Sequence, residues 1–255
     1  MDFLKTNIIA TTTAISLQSN TLLAENLYNP DENYQYFTEG FDNDLTTTSI
    51  VINFDSTTTV SRIGLLGINW KEFDVFYNGS TASTISLSNA DTTACNYSSN
   101  SDTSKYFKFS AINATSLSFE IKSTIVANSE KLLSFLHVSD IYFEFGRVPS
   151  SNSYKPVLTP KQIVHTMGDG GTKVHNIARK QATDVGFKYL TFDQKNELKT
   201  IFDLQGLFSF APFGTASGWD GILYEANWIG AFDFEKYSDN ASVAGFTGNI
   251  KLRET

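Results

Sequence analysis

Cysteine is almost missing from this sequence: Cys95 stands alone among 255 residues. That excludes an internal disulfide framework and any metal site built on several thiolates. Long apolar runs are missing too, since nothing approaches the ~18 consecutive apolar residues of a membrane-crossing helix. Charge is sparse at 18%, and positive charge sparser still: 19 Lys and Arg against 27 Asp and Glu leave a net of −8 and a pI near 4.9. Phosphate backbones are held by clustered Lys and Arg, so no nucleic acid is expected as a partner. The same balance argues against an anionic membrane surface. A basic lead is absent apart from Lys5, and Asn7-Ile-Ile-Ala-Thr-Thr-Thr-Ala-Ile-Ser-Leu17 is too polar for a signal-peptide core. That segment reads as a first strand, and export by the general secretory route is not expected.

What is present suits β-structure. Hydrophobic residues make up 41% and aromatics 14%, enough to fill a core. Ser, Thr and Asn are abundant, a mix that fits exposed sheet better than helix bundles. Ser49-Ile-Val-Ile-Asn-Phe-Asp55 places Ile50, Ile52 and Phe54 on one face. Val60–Gly67, Phe73–Tyr77, Tyr106–Phe109, Ser116–Lys122 and Asp140–Phe145 follow as further short strands, and Asn78-Gly79 is a strong turn signal. Between them, the polar stretch from Ser86 to Lys105 reads as a surface loop. Such a series predicts an all-β sandwich or jelly roll.

The charge changes along the chain. Residues 1–148 carry 8 basic and 16 acidic side chains, whereas residues 149–255 carry 11 of each. The change falls on Arg147–Pro160, whose three prolines favour an irregular connector. The expected organisation is a first domain over 1–148, a linker over 149–160 and a smaller β-rich domain over 161–255. In the latter, Thr191-Phe-Asp-Gln194 is a capping-box pattern. Phe192, Leu198, Ile201 and Phe202 recur at helical spacing, and Gly206 offers a stop, so one helix is expected near 192–204. Strands are expected at Gln162–Met167, Lys173–Arg179, Asp184–Leu190, Leu207–Phe213, Ile222–Ser238 and Ala244–Leu252. Trp228, Phe232 and Phe234 should share one buried face. The fold class predicted is mainly β: a jelly-roll sandwich followed by a smaller β-sandwich with one flanking α-helix.

Catalytic signals are few. No Gly-x-Ser-x-Gly elbow occurs, and Cys95 has no histidine at a recognisable spacing. Gly168-Asp-Gly-Gly-Thr-Lys173 lacks the spacing and the helix of a P-loop and reads as a tight turn. His165 and His175 flank that turn; they are ordinary hairpin positions or, if the register puts them opposite, two ligands of a shared metal. His137, beside Phe135 and Leu136, reads as a half-buried structural residue. The chain is therefore expected to be no enzyme.

Binding signals gather near the N-terminus. Tyr28-Asn-Pro-Asp-Glu-Asn-Tyr-Gln-Tyr-Phe37 combines turn residues, two carboxylates and aromatic rings. Asp31 and Glu32 are the oxygen donors a hard cation such as Ca²⁺ would use. Tyr34 and Tyr36, with Trp70, are rings on which a sugar could stack. The competing reading tucks the loop's aromatics under the sandwich and makes Trp70 a core plug.

The pieces Asn29-Pro-Asp-Glu-Asn-Tyr-Gln-Tyr36, Ser49–Asp55, Thr59–Gly64, Phe73–Tyr77, Thr115–Ile121 and Val138–Phe143 together resemble the discoidin, or factor 5/8 type C, family of galactose-binding-like jelly rolls. Asp31-Glu32 stands where that family often has Asp-Gly. The resemblance implies adhesion to glycans or other surface ligands without catalysis. The C-terminal stretch resembles structural proteins of tailed-phage tail tips and baseplates. That likeness rests on the helix after Tyr189-Leu-Thr191, Phe208-Ser-Phe-Ala-Pro212, Trp228–Phe234, Tyr237-Ser-Asp-Asn240 and the closing run Ala244–Thr255. It implies a virion tail component made in the host cytoplasm, whose partners are other tail proteins and copies of itself, with the jelly roll displayed toward a cell-surface glycan. The alternative is a carbohydrate-binding adhesin module acting outside a virion.

Overall fold

The structure, a computed structural model, describes residues 1–11, 14–17, 24–29, 35–38, 46–78, 96–146, 149, 153–168, 170–214, 221–236 and 245–255. It is mainly β with one α-helix, as the sequence predicts. The chain forms two compact units. One comprises Leu4–Ile141 with Phe213–Leu223; the other comprises Met1–Phe3, Tyr142–Pro212 and Tyr224–Thr255. The first three residues therefore belong with the C-terminal half. That assignment depends on pairing partners far along the chain, which local patterns do not reveal.

After β1 (Asp2–Leu4), the larger unit contains β2 (Ala14–Leu17), β3 (Tyr36–Phe37), β4 (Thr48–Leu66), β5 (Trp70–Tyr77), β6 (Asn96–Tyr97), β7 (Ser104–Thr124), β8 (Leu132–Leu133) and β9 (Phe135–Ser139). Its main sheet runs β2-β4-β7-β5-β6, with β9 also paired to β4, and β3 pairs β8 separately. The long strands β4 and β7 pair antiparallel from Thr48↔Ile121 to Leu66↔Ser104, with register shifts between Asn53 and Thr58 and between Val60 and Arg62. Such irregularities bend a ribbon. Before the bend β2 and β5 flank it, and beyond the bend β9 takes over. Ile50, Ile52, Phe119 and Ile121 from one stretch and Ile63, Leu65, Phe107 and Val138 from the other meet in a single core. The alternation read from Ile50, Ile52 and Phe54 is the core face of β4.

Two turns are fixed by their chemistry. Gly67, between β4 and β5, has φ +65, and a Cβ there would lie 2.0 Å from Ser134 Oγ, so only glycine fits. Asn78, after β5, sits at φ 57 and its Oδ1 accepts from the Thr115 amide at 2.7 Å. The surface loop expected from Ser86 to Lys105 differs in its second half: β6 and the start of β7 fall there. Asn100 is also buried, donating to Trp70 O at 2.6 Å and Asp102 O at 2.9 Å.

The smaller unit contains most of β1 together with β10 (Ile141–Glu144), β11 (Tyr154–Thr166), β12 (Thr172–Leu190), α1 (Phe192–Asp203), β13 (Phe208–Ala211), β14 (Tyr224–Ile229), β15 (Phe234–Lys236) and β16 (Phe246–Glu254). The sheet order is β10-β1-β13-β14-β16-β12-β11, with β15 on β16. Phe3, Phe145, Phe208 and Phe210 form its aromatic core, with ring centroids 5.0–6.2 Å from Phe3. The helix begins as predicted: Thr191 Oγ1 accepts from the Gln194 amide while Gln194 Oε1 accepts from the Thr191 amide. Leu198 and Ile201 bury its inner face, whereas Phe192, expected inside, is 62% exposed. The left-handed residue that ends it is Gln205, φ 47, one position before the expected Gly206.

The segment expected to be an irregular connector is strand from Tyr154 onward. Pro156 and Pro160 lie in β11, which ends the sheet order; an edge strand tolerates proline because its outward side needs no ladder hydrogen bonds. β12 meets β16 only over Ala182–Leu190, whereas it meets β11 back to Thr172. Residues 157–181 therefore form a two-stranded arm beyond the sheet. The tip turns at Gly170, φ +83, closed by the Met167 amide donating to Gly171 O. The single strand expected over Ile222–Ser238 is two, β14 and β15, interrupted at Gly230.

Candidate functional site

The ring predicted for a sugar platform at Trp70 is wholly buried, and so is Tyr36 at 1% exposure. Trp70 packs edge-on to Phe73 at 5.4 Å and lies 6.4 Å from Phe119. Burial also pushes the Tyr36 hydroxyl up to about 12. A ring without exposed faces cannot stack on a ligand, so the core-plug reading of Trp70 and the tucked-loop reading of Tyr36 hold in this fold. Tyr34, Asp31 and Glu32 lie outside the described residues, as does Cys95. The predicted constellation is thus not brought together among the described residues, and no cluster of three metal-ligating side chains occurs among them.

The histidines are equally plain. His165 pairs with Lys173 and His175 with Ile163, so the register does not put the two histidines opposite each other. His137 is fully buried, further than the half-burial expected, and its Nε2 lies 2.9 Å from Ser139 Oγ. Burial pushes its pKa down to about 3, which keeps the ring neutral. Distance alone would suggest a nucleophile and base, but both residues have 0% exposure. No substrate can reach them, and the pair is a piece of core architecture.

Two further polar groups tie the sandwich unit together. The Lys131 ammonium, 2% exposed, donates to Thr46 O, to Thr48 Oγ1 at 3.0 Å and to Ile121 O at 2.8 Å. It sits in a cage of oxygens, as a bound cation would. Asp140 accepts from Lys5 Nζ and from Ser61 Oγ, each at 2.8 Å. Burial raises the Asp140 pKa, but these bonds outweigh it and the net shift is downward.

The accessible chemistry of that unit lies on the outer face of β5 and β7. Asp74 and Glu120 are cross-strand partners, a like-charge pairing that is unfavourable in a sheet. Lys122 offsets it, 2.7 Å from Asp74 Oδ2 and 3.8 Å from Glu72. The hydrogen bond with Asp74 raises the Lys122 pKa. Asp74 is only 5% exposed, and its Oδ1 has no hydrogen-bond partner. A buried carboxylate oxygen without a donor is costly, and its burial shields it from ligands as well. Glu72 and Lys122 are partly exposed beside it, so an acceptor and a donor stand within reach of the same ligand. Sequence reading missed this cluster because its members come from two strands and only register joins them.

In the smaller unit, Phe202 of α1 packs edge-on to Trp228 at 5.4 Å and tilted against Phe232 at 5.5 Å. Phe232 in turn lies 4.7 Å from Phe234. The three aromatics expected on one face do gather, but half-exposed. Lys195 lies 4.1 Å from the Phe246 ring centroid.

No family model and no curated protein matches the chain. Among solved structures, it is similar to chitosan-binding module 1 of a chitosanase/glucanase from Paenibacillus sp. IK-5, at 12% identity and TM-score 0.40 over 53% of this chain and 98% of that one. A carbohydrate-binding module (CBM32-6) produced by Clostridium perfringens aligns at 13% identity and TM-score 0.38, covering 52% and 98%. The lectin binding domain of Lectinolysin, in complex with Lewis b, aligns at 18% identity and TM-score 0.37, covering 54% and 98%. These neighbours are carbohydrate-binding modules, spanned almost whole by about half of this chain.

Proposed function

We propose that this chain is a non-enzymatic assembly protein whose C-terminal unit is covered by neighbours while its sandwich unit is displayed. One observation carries the reading. Of the twelve large apolar side chains exposed among the described residues, eleven belong to the smaller unit and only Val126 to the sandwich. Exposed apolar surface is costly at roughly 25 cal/mol per Å², and its concentration on one unit marks a surface made to be covered. The assembly we assign is the tail tip or baseplate of a tailed phage, in keeping with the resemblance of the C-terminal stretch; the protein would be made in the host cytoplasm. Gradient fractionation of particles, with antibody labelling in the electron microscope, tests it. Label at a fixed place on the tail is expected; absence from clean particles overturns the virion assignment.

A second reading, glycan binding by the displayed sandwich, is favoured by the partly exposed Glu72 carboxylate and Lys122 ammonium, 3.8 Å apart on neighbouring strands. In this reading Glu72 accepts from sugar hydroxyls and Lys122 donates to them. Glu72→Ala and Lys122→Met, tested on a glycan array with the full chain, should each abolish binding. Undiminished binding in both removes the site, and glycan binding by a monomer absent from particles supports the stand-alone adhesin instead.

A further inference from the structure

Asn78, at the end of β5, is the one asparagine in the chain that is followed by glycine. That order of residues carries a latent reaction, because the backbone nitrogen of the next residue can attack the side-chain carbonyl carbon. Glycine presents its nitrogen without a Cβ beside it. Water must also reach the intermediate, and Asn78 is exposed.

The surroundings of the side chain favour the attack. Its Oδ1 accepts two hydrogen bonds from one residue of β7, from the Thr115 amide at 2.7 Å and from the Thr115 hydroxyl at 3.1 Å. Attack on Cγ turns that oxygen into an oxyanion, and donors already aimed at it take up the developing charge. The backbone fixes this arrangement, since the Asn78 amide donates to Ser116 O of the same strand at 3.0 Å. The leaving nitrogen is held less well: Nδ2 donates to Asn113 O at 3.3 Å, longer than the usual range for such a bond. Asn128 serves as an internal control. It too is exposed and left-handed, φ 60 against φ 57 at Asn78, but Ser129 follows it.

We propose that Asn78 is a site of spontaneous deamidation, assisted by the two Thr115 donors. The Gly79 nitrogen gives its proton to solvent base and bonds to Cγ. The Cγ–Nδ2 bond breaks, and Nδ2 takes a proton from solvent and leaves as ammonia. A cyclic imide remains. Water adds to either of its carbonyls and opens the ring, giving aspartate or isoaspartate at position 78. No oxidant or reductant takes part. The reaction moves the net charge from −8 to −9. The new carboxylate still accepts from Thr115 but has no proton to donate to Asn113 O, and the isoaspartate form also lengthens the main chain by one carbon. Both changes loosen the end of the β5–β7 pairing.

The test incubates the full folded chain in mildly alkaline buffer and follows each asparagine by peptide mass mapping. Labelling with an isoaspartyl methyltransferase reports the isomer. Asn78 is expected to be converted first, well ahead of Asn128. Gly79→Ala should slow the conversion roughly tenfold, because a Cβ then crowds the attacking nitrogen. Thr115→Val removes the hydroxyl donor and keeps the amide; it should slow the conversion roughly threefold, an exposed donor being weaker than one in a dry site. Thr115 is exposed, so valine disturbs no packing there, and circular dichroism checks that both variants fold. Asn78 that stays intact, or that is converted no faster than Asn128, overturns the proposal. A Thr115→Val rate equal to or above that of wild type overturns it as well. Asn78→Asp, unfolded in urea, should show a lower midpoint than wild type, and an unchanged midpoint overturns the loosening.

Discussion

Acid should weaken the sandwich unit through one residue, His137. Its imidazole is fully buried, held to Ser139 Oγ at 2.9 Å, and its pKa is pushed down from 6.5 to about 3 by desolvation. The unfolded chain takes up a proton near pH 6.5, whereas the folded chain does so only near pH 3. Stability from this residue is therefore fully present above pH 6.5 and is lost progressively as pH falls toward 3. Each pH unit within that window costs about 1.4 kcal/mol, so moving from pH 6.5 to pH 4.5 removes about 3 kcal/mol. Carboxylates also titrate in this range, Asp140 among them, so the wild-type profile alone does not isolate the effect. His137→Gln does, since an amide keeps a hydrogen-bonding partner for Ser139 and carries no titratable proton. Urea unfolding at pH 7 and pH 4.5 should show wild type losing about 3 kcal/mol more than the variant. Parallel losses in the two proteins would refute the argument, as would an imidazole resonance of His137 that titrates near pH 6.5 in the folded state.

Lys131→Met should destabilise the sandwich by about 3 kcal/mol, because it strips the donor from three oxygens it now satisfies; a denaturation midpoint near wild type would refute the cage. Trp70→Ala should cost about 3–5 kcal/mol as a core cavity, and a variant with wild-type stability but selective loss of glycan binding would restore the platform reading. Thr191→Ala should cost about 1 kcal/mol by opening the capping box, read as a drop in thermal midpoint of the smaller unit.

Several elements were legible because their signals are local. The helix announced itself through Thr191 and Gln194, three residues apart, and β4 through the alternation of Ile50, Ile52 and Phe54. Long-range facts were hidden. The prolines at 156 and 160 signalled a connector, yet they are harmless in an edge strand, and edge position is a property of the whole sheet. Trp70 carried two readings because composition around a ring does not say which elements cover it. The Asp74 cluster was invisible for the same reason: Glu72 and Asp74 are almost fifty residues before Glu120 and Lys122 in the chain.

The assignment of Met1–Phe3 to the C-terminal unit bears on how the chain reaches its native state. β1 takes its place between β10 and β13, so this strand waits for partners about 140 and 200 residues later in the chain. Phe213–Leu223 makes the reverse journey and joins the unit built from earlier residues. Neither unit is complete until most of the chain has left the ribosome, and closing such long loops before any contact forms is slow. Refolding should therefore proceed through intermediates in which the sandwich is ordered while the smaller sheet still lacks strands. A cut at residue 148 would separate neither unit intact from the other.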